Sequence, residues 1–136
     1  MSRMARLLVP VLPVAALAGL ASCMVATPLV APVMQRVLVD VATAQFVGDN
    51  CPSMGFDAAR AKTYIANAYK NLVAEGADPE TLETGTESFE QGPLQAQVAE
   101  RLEEGGVNPE NPQPANVCAF GAAEQDTGSI LGRVLK

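Results

Sequence analysis

From Leu7 to Met34 the sequence carries no charged residue, and beyond it apolar positions return at helical intervals between Gly and Pro punctuation. The pattern therefore divides into an apolar N-terminal run and a series of amphipathic helices. Residues 33–47 (VMQRVLVDVATAQFV) fit two periods. Val33, Val37, Val41 and Ala44 follow helical spacing, while the density of β-branched residues also suits a strand; helix is the reading taken. Gly48-Asp49-Asn50 then predicts a turn that delivers Cys51 and Pro52. The clearest helix spans Asp57 to Glu75, with Asp57 or Ser53 as its cap and Gly76 just past its end. Its seam, Ala58, Ala61, Ile65, Ala68 and Leu72, is mostly alanine and allows close approach of a neighbour.

Asp78-Pro79 opens a short helix carrying Thr81, Leu82 and Thr84 before Gly85, and Pro93 opens another with Leu94, Val98 and Leu102 on one side, ending at Gly105-Gly106. Val107 to Ala115 (VNPENPQPA) reads as an extended connector. Asn116 caps a last helix that runs to Lys136 with Cys118 in its first turn. On a helical wheel Val117, Phe120, Leu131, Val134 and Leu135 share one sector, opposite Gln125, Asp126, Ser129, Arg133 and Lys136. Gly121, Gly128 and Gly132 run along the edge of the apolar sector at spacings of seven and four. Each glycine costs a helix roughly 0.5–1 kcal/mol relative to Ala, so the stripe predicts close packing of another backbone, with the alanine-seamed helix as the neighbour. The competing reading is a break at Gly128. The predicted fold class is all-α: a bundle of four to five helices stapled by one disulfide and preceded by an export segment.

The disulfide follows from the N-terminus and the cysteine count. Arg3 and Arg6 precede the apolar run as in an export signal, and Leu20-Ala21-Ser22-Cys23 resembles the lipobox of bacterial lipoproteins. Three readings compete: lipidation at Cys23, cleavage after a small-residue site such as Ala16-Leu17-Ala18, and an uncleaved membrane helix interrupted by Pro10, Pro13, Pro28 and Pro32. The first gives a lipoprotein-type signal over residues 1–22, an apolar tether or first helix over 23–44, and a helical domain over 45–136. Of three cysteines, lipidation uses Cys23 and leaves Cys51 and Cys118 to pair in an oxidising compartment.

Composition narrows the chemistry. With 4% aromatic residues and no Trp, the core must be built from Ala, Val, Leu and Ile. A net charge of −6, with no cluster among nine basic residues, argues against nucleic acid. The chain contains no histidine, which removes His-based triads, imidazole metal sites and the commonest general base. No Walker A, G-x-G-x-x-G, G-x-S-x-G or C-x-x-C motif occurs. Ten acidic residues between Glu75 and Glu110 face a single Arg101 in that stretch, and their spacing matches no calcium loop; they read as a solvated face. No cofactor, metal site or catalytic residue is expected. Glu124 departs from the pattern, falling between Phe120 and Leu131 inside the apolar sector. It reads as a buried ion-pair partner of Arg60, Arg101 or a helix end, or as a ligand-facing carboxylate.

Gly106-Val107-Asn108-Pro109, Cys118-Ala119-Phe120-Gly121, Glu124 and Gly128-Ser129-Ile130-Leu131-Gly132-Arg133-Val134-Leu135 resemble the C-terminal signature of the DUF5333 family, small exported alphaproteobacterial proteins of unknown function. The resemblance implies a helical exported protein with two cysteines and no characterised activity. The expectation is a lipid-anchored, non-catalytic envelope protein with an unidentified protein partner, set against a chaperone-like holdase and a carboxylate-based enzyme.

Overall fold

The structure, a computed structural model, describes residues 30–136; the expected export segment and Cys23 lie outside the described residues. Six helices follow one another, α1 Pro32–Asn50, α2 Ala58–Ala74, α3 Pro79–Glu90, α4 Pro93–Glu104, α5 Pro114–Thr127 and the single turn α6 Ile130–Arg133. The described residues form no strand beyond one isolated bridge.

The central element is α1, which packs against α2, α4, α5 and α6. It buries Met34, Val37, Leu38, Val39, Ala44 and Val47, a band too wide for one partner. Its helical state therefore rests on tertiary burial, which outweighs the modest helix propensity of its valines. Thr43, also buried, satisfies its hydroxyl inside the helix by donating to the Val39 carbonyl at 2.7 Å. Two expectations change here. Gly48, Asp49 and Asn50 are helical rather than a turn, and the Cys51 N–H closes the last turn on the Val47 carbonyl at 2.8 Å. Glycine is required at position 48 because a Cβ there would stand 2.9 Å from both Cβ and the backbone nitrogen of Phe56. The helix also crosses position 44 without a break, so residues 32–44 are part of the packed body.

Local signals account for α2 to α4. Asp57 caps α2 by accepting from the Arg60 N–H at 3.0 Å, and Asp78 caps α3 by accepting from the Thr81 N–H at 2.8 Å. Both α2 and α4 end in the paired-bond glycine motif: Ala77 N–H to Leu72 and Gly76 N–H to Val73, then Val107 N–H to Leu102 and Gly106 N–H to Glu103. Gly76 and Gly106 adopt φ of 103° and 80°, which favour glycine. The end of α3 differs from expectation, because the helix continues through Gly85 to Glu90 and buries Leu82, Gly85 and Phe89 on one stripe.

The last expected helix is broken. Gly128 takes a left-handed conformation with φ 66°, α5 stops at Thr127, and the Ser129 hydroxyl starts α6 by accepting from the Gly132 N–H at 3.0 Å. The chain beyond folds back, and Leu131, Val134 and Leu135 reach the same core as Val117 and Phe120 by a different path. The start also moves: α5 begins at Pro114, two residues before the expected Asn116 cap, because proline fits the first helical position. The C-terminus then pairs with the loop after α1, through Gly55 N–H to Lys136 O at 2.6 Å, Lys136 N–H to Gly55 O at 2.9 Å and Asp57 N–H to Val134 O at 2.8 Å.

Candidate functional site

Cys51 and Cys118 form a disulfide with a Cα–Cα separation of 5.1 Å. Cys51 caps the C-terminus of α1 instead of leading into the alanine-seamed helix, so the bond joins the end of α1 to α5. The Ser53 hydroxyl lies 3.2 Å from the Cys51 sulfur. The expected glycine stripe does not receive α2. Gly121 faces Met54, Val47 and Leu135, Gly132 lies on the α5 backbone at Glu124, and Gly128 forms the turn between α5 and α6.

Polar groups concentrate where α1, α4 and α5 meet, around Arg101 of α4. Its Nη2 donates to Glu124 Oε1 at 2.7 Å, and its guanidinium carbon lies 5.5 Å from the centre of the Phe120 ring. Phe120 also packs closely on Gly105, where an added Cβ would run into its ring. The second carboxylate oxygen of Glu124 accepts from the Ser129 hydroxyl at 2.7 Å. Glu124 is thus both the partner of Arg101 and a clamp on the α5–α6 corner. Its side chain is 13% exposed and that of Arg101 31%, so the pair is screened less than a surface bridge. Glu124→Gln should lower the unfolding free energy by about 1–2 kcal/mol, since a half-buried guanidinium loses its counter-charge while the hydrogen-bonding shape is kept; chemical denaturation measures it, and an unchanged midpoint would show that solvent already screens the pair.

Across the same junction stands Asp40 of α1, half-buried, with neither a hydrogen bond nor an ion pair among the described residues. Burial pushes its carboxyl above the usual carboxylate range, the charge of Arg101 partly offsets this, Glu124 adds to the rise, and Arg36 offsets it. A carboxyl raised in the folded state contributes stability that is present below its unfolded value, near 3.8, and is lost as pH rises through the folded value. Asp40→Asn should therefore raise stability at neutral pH, and the advantage over the parent chain should close as pH falls below about 4. Thermal melts at several pH values check this; an advantage independent of pH would mean that packing, not charge, separates the two chains.

Two grooves flank Arg101. One, of about 440 Å³, is lined by Arg101, Glu104, Asn116, Phe120 and Glu124 among others. The other, of about 490 Å³, lies between α1 and α4 and is lined by Gln35, Arg36, Asp40, Gln97 and Arg101 together with Pro32 and Val39. No group of three or more metal-ligating side chains occurs among the described residues. Sequence reasoning did not reach Asp40. Its signal was an acid four residues after Arg36, set between Val39 and Val41 in the most apolar stretch of α1.

Residues 29–136 match the model of a family of unknown function, DUF5333. No curated protein and no solved structure matches the chain.

Proposed function

Because the chain belongs to the DUF5333 family, whose function is unknown, we propose that it is an exported, lipid-anchored helical protein of the bacterial cell envelope, with a structural or protein-binding role and no catalysis. The observation that carries this reading is the pairing of Cys51 with Cys118, because such bonds persist in oxidising compartments. The basic and apolar N-terminus and its Leu20-Ala21-Ser22-Cys23 sequence support the anchor. The absence of histidine from the sequence and the mutual pairing of Arg101 and Glu124 support a role without general acid–base chemistry.

The holdase alternative requires carboxylates whose protonation opens the core. Asp57 and Asp78 act in that direction, since backbone hydrogen bonds from Arg60 and Thr81 hold them below the usual range and their contribution is lost as pH falls. Both are helix caps away from the core, Asp78 exposed and Asp57 partly so, however, and Asp40 at the core junction acts the opposite way. The structural module is therefore favoured over the acid-opened one.

Metabolic labelling with a palmitate analogue should mark the protein, and Cys23→Ser should abolish the label and release the chain from the membrane fraction. Unchanged mass and partitioning in that variant would remove the anchor from the proposal. Crosslinking in intact envelopes, followed by purification of the chain, should recover a discrete partner protein; recovery of the uncrosslinked chain alone would remove the binding role.

A further inference from the structure

We infer that the groove between α1 and α4 binds a free α-amino acid, its ammonium group on Asp40 and its carboxylate on Arg36. The inference goes beyond the envelope role and does not depend on it. The two grooves beside Arg101 differ in what their charges already do. In the groove toward α5, Arg101 and Glu124 satisfy each other at 2.7 Å. In the groove toward α1, Arg36 and Asp40 pair neither with each other nor with any other described charge. The side-chain amides of Gln35 on α1 and Gln97 on α4, both half-buried and lining the same groove, make no hydrogen bond among the described residues. One acid, one base and two amides, none of them bonded to another described residue, thus line one solvent-open groove beside Arg101.

The spacing selects the ligand class. Arg36 and Asp40 stand four residues apart on one helix, which places their Cβ atoms about 5–6 Å apart on the same side. A molecule carrying both charges a few ångströms apart bridges them, with bidentate guanidinium–carboxylate contact at one end and an ammonium at the other. A dianion such as phosphate is disfavoured, because Asp40 and Glu124 lie on the same junction as Arg36 and Arg101. The ammonium also gives the half-buried Asp40 carboxylate a directly bonded counter-charge, where Arg101 and Arg36 act on it without an ion-pair contact. Pro32 and Val39 supply the apolar part of the wall, which suits a small aliphatic side chain. A volume of about 490 Å³ lies within the usual range for small-molecule sites.

The test is titration of the isotopically labelled full chain, held in a non-ionic detergent, with L-alanine, propionate and ethylammonium, followed by amide NMR. L-alanine should give saturable shifts of the Gln35 and Gln97 side-chain amides. Propionate and ethylammonium, each lacking one end, should bind at least about tenfold weaker, and Asp40→Asn and Arg36→Gln should each weaken L-alanine binding about tenfold or more. Both substituted positions are open to solvent at least in part, and circular dichroism confirms that the variants are folded. Linear shifts that never saturate, equal binding of the one-ended analogues, or undiminished binding in both variants would overturn the inference.

Discussion

Replacing Cys51 and Cys118 together by alanine is expected to lower the unfolding free energy by about 4 kcal/mol, the value that loop-closure entropy assigns to a cross-link across this sequence separation of 67. The bond closes most of the folded body into one loop, from the C-terminus of α1 through α2, α3 and α4 to α5. Few other restraints act over that distance so directly, because α2 to α4 are short helices held by one-sided stripes. Their buried residues are Ala61 and Ala68 in α2, Leu82, Gly85 and Phe89 in α3, and Leu94, Val98 and Leu102 in α4. A protein of this size has only about 5–15 kcal/mol of net stability, so the loss takes about a quarter of it or more. Guanidinium unfolding of the double variant against the oxidised parent measures it, with non-reducing peptide mapping to show the two cysteine peptides joined in the parent. A loss below about 1 kcal/mol would mean that the unfolded chain is already compact enough for the cross-link to restrict little.

What the sequence discloses about this fold is mainly which residues are buried and where helices are punctuated. Val117, Phe120, Leu131, Val134 and Leu135 share an apolar sector on a wheel and all five are buried. Pro79 and Pro93 open helices, and Gly76 and Gly105-Gly106 close them. These signals are local, and local chemistry decides them. The path between buried residues is not local. A continuous helix and a helix folded back at Gly128 bury the same residues, and the choice falls to Gly128 in its left-handed conformation together with the Ser129 cap. Glycine is ambiguous for the same reason: Gly48 and Gly85 lie inside helices, Gly128 ends one, and the difference is set by what packs against each, as Phe56 does against Gly48. The pairing of Cys51 and Cys118 was legible from counting, whereas the element that Cys51 closes was not, since α1 extends past the glycine that looked like its end. At the junction, Arg101 was one of the partners that the sequence left open for Glu124, beside Arg60 and a helix end, and the approach of Asp40 required the α1–α4 packing.

Gly132→Ala is expected to lower stability by about 3 kcal/mol, at the upper end of ordinary overpacking costs, and to exceed the loss from Gly121→Ala. A Cβ at position 132 would fall on the carbonyl group of Glu124 and on the backbone nitrogen of Gln125. These are main-chain atoms inside α5, so no rotamer change can make room. Relief requires the α5–α6 corner to open, and that corner is also held by the Ser129 hydroxyl, which links Glu124 Oε2 to the Gly132 N–H. Displacing it would disturb the carboxylate that neutralises Arg101. At position 121 the added methyl would meet Met54 Sδ at 2.6 Å and Val47 Cγ1 at 2.8 Å. Met54 Sδ belongs to a flexible side chain that can withdraw, whereas Val47 is a stiff, fully buried side chain of α1, so a cost of about 2 kcal/mol is expected there, still below that of a main-chain clash. Gly128→Ala should cost about 1 kcal/mol for a different reason, its φ of 66°, since the nearest atoms to a Cβ belong to the Arg133 side chain at 3.8 Å and beyond. Urea midpoints for the three single variants give the order directly. If Gly121→Ala proved as costly as Gly132→Ala, the contact between α5 and the α1 end would be as rigid as a backbone contact, and the α5–α6 corner would not be the tightest point of this fold.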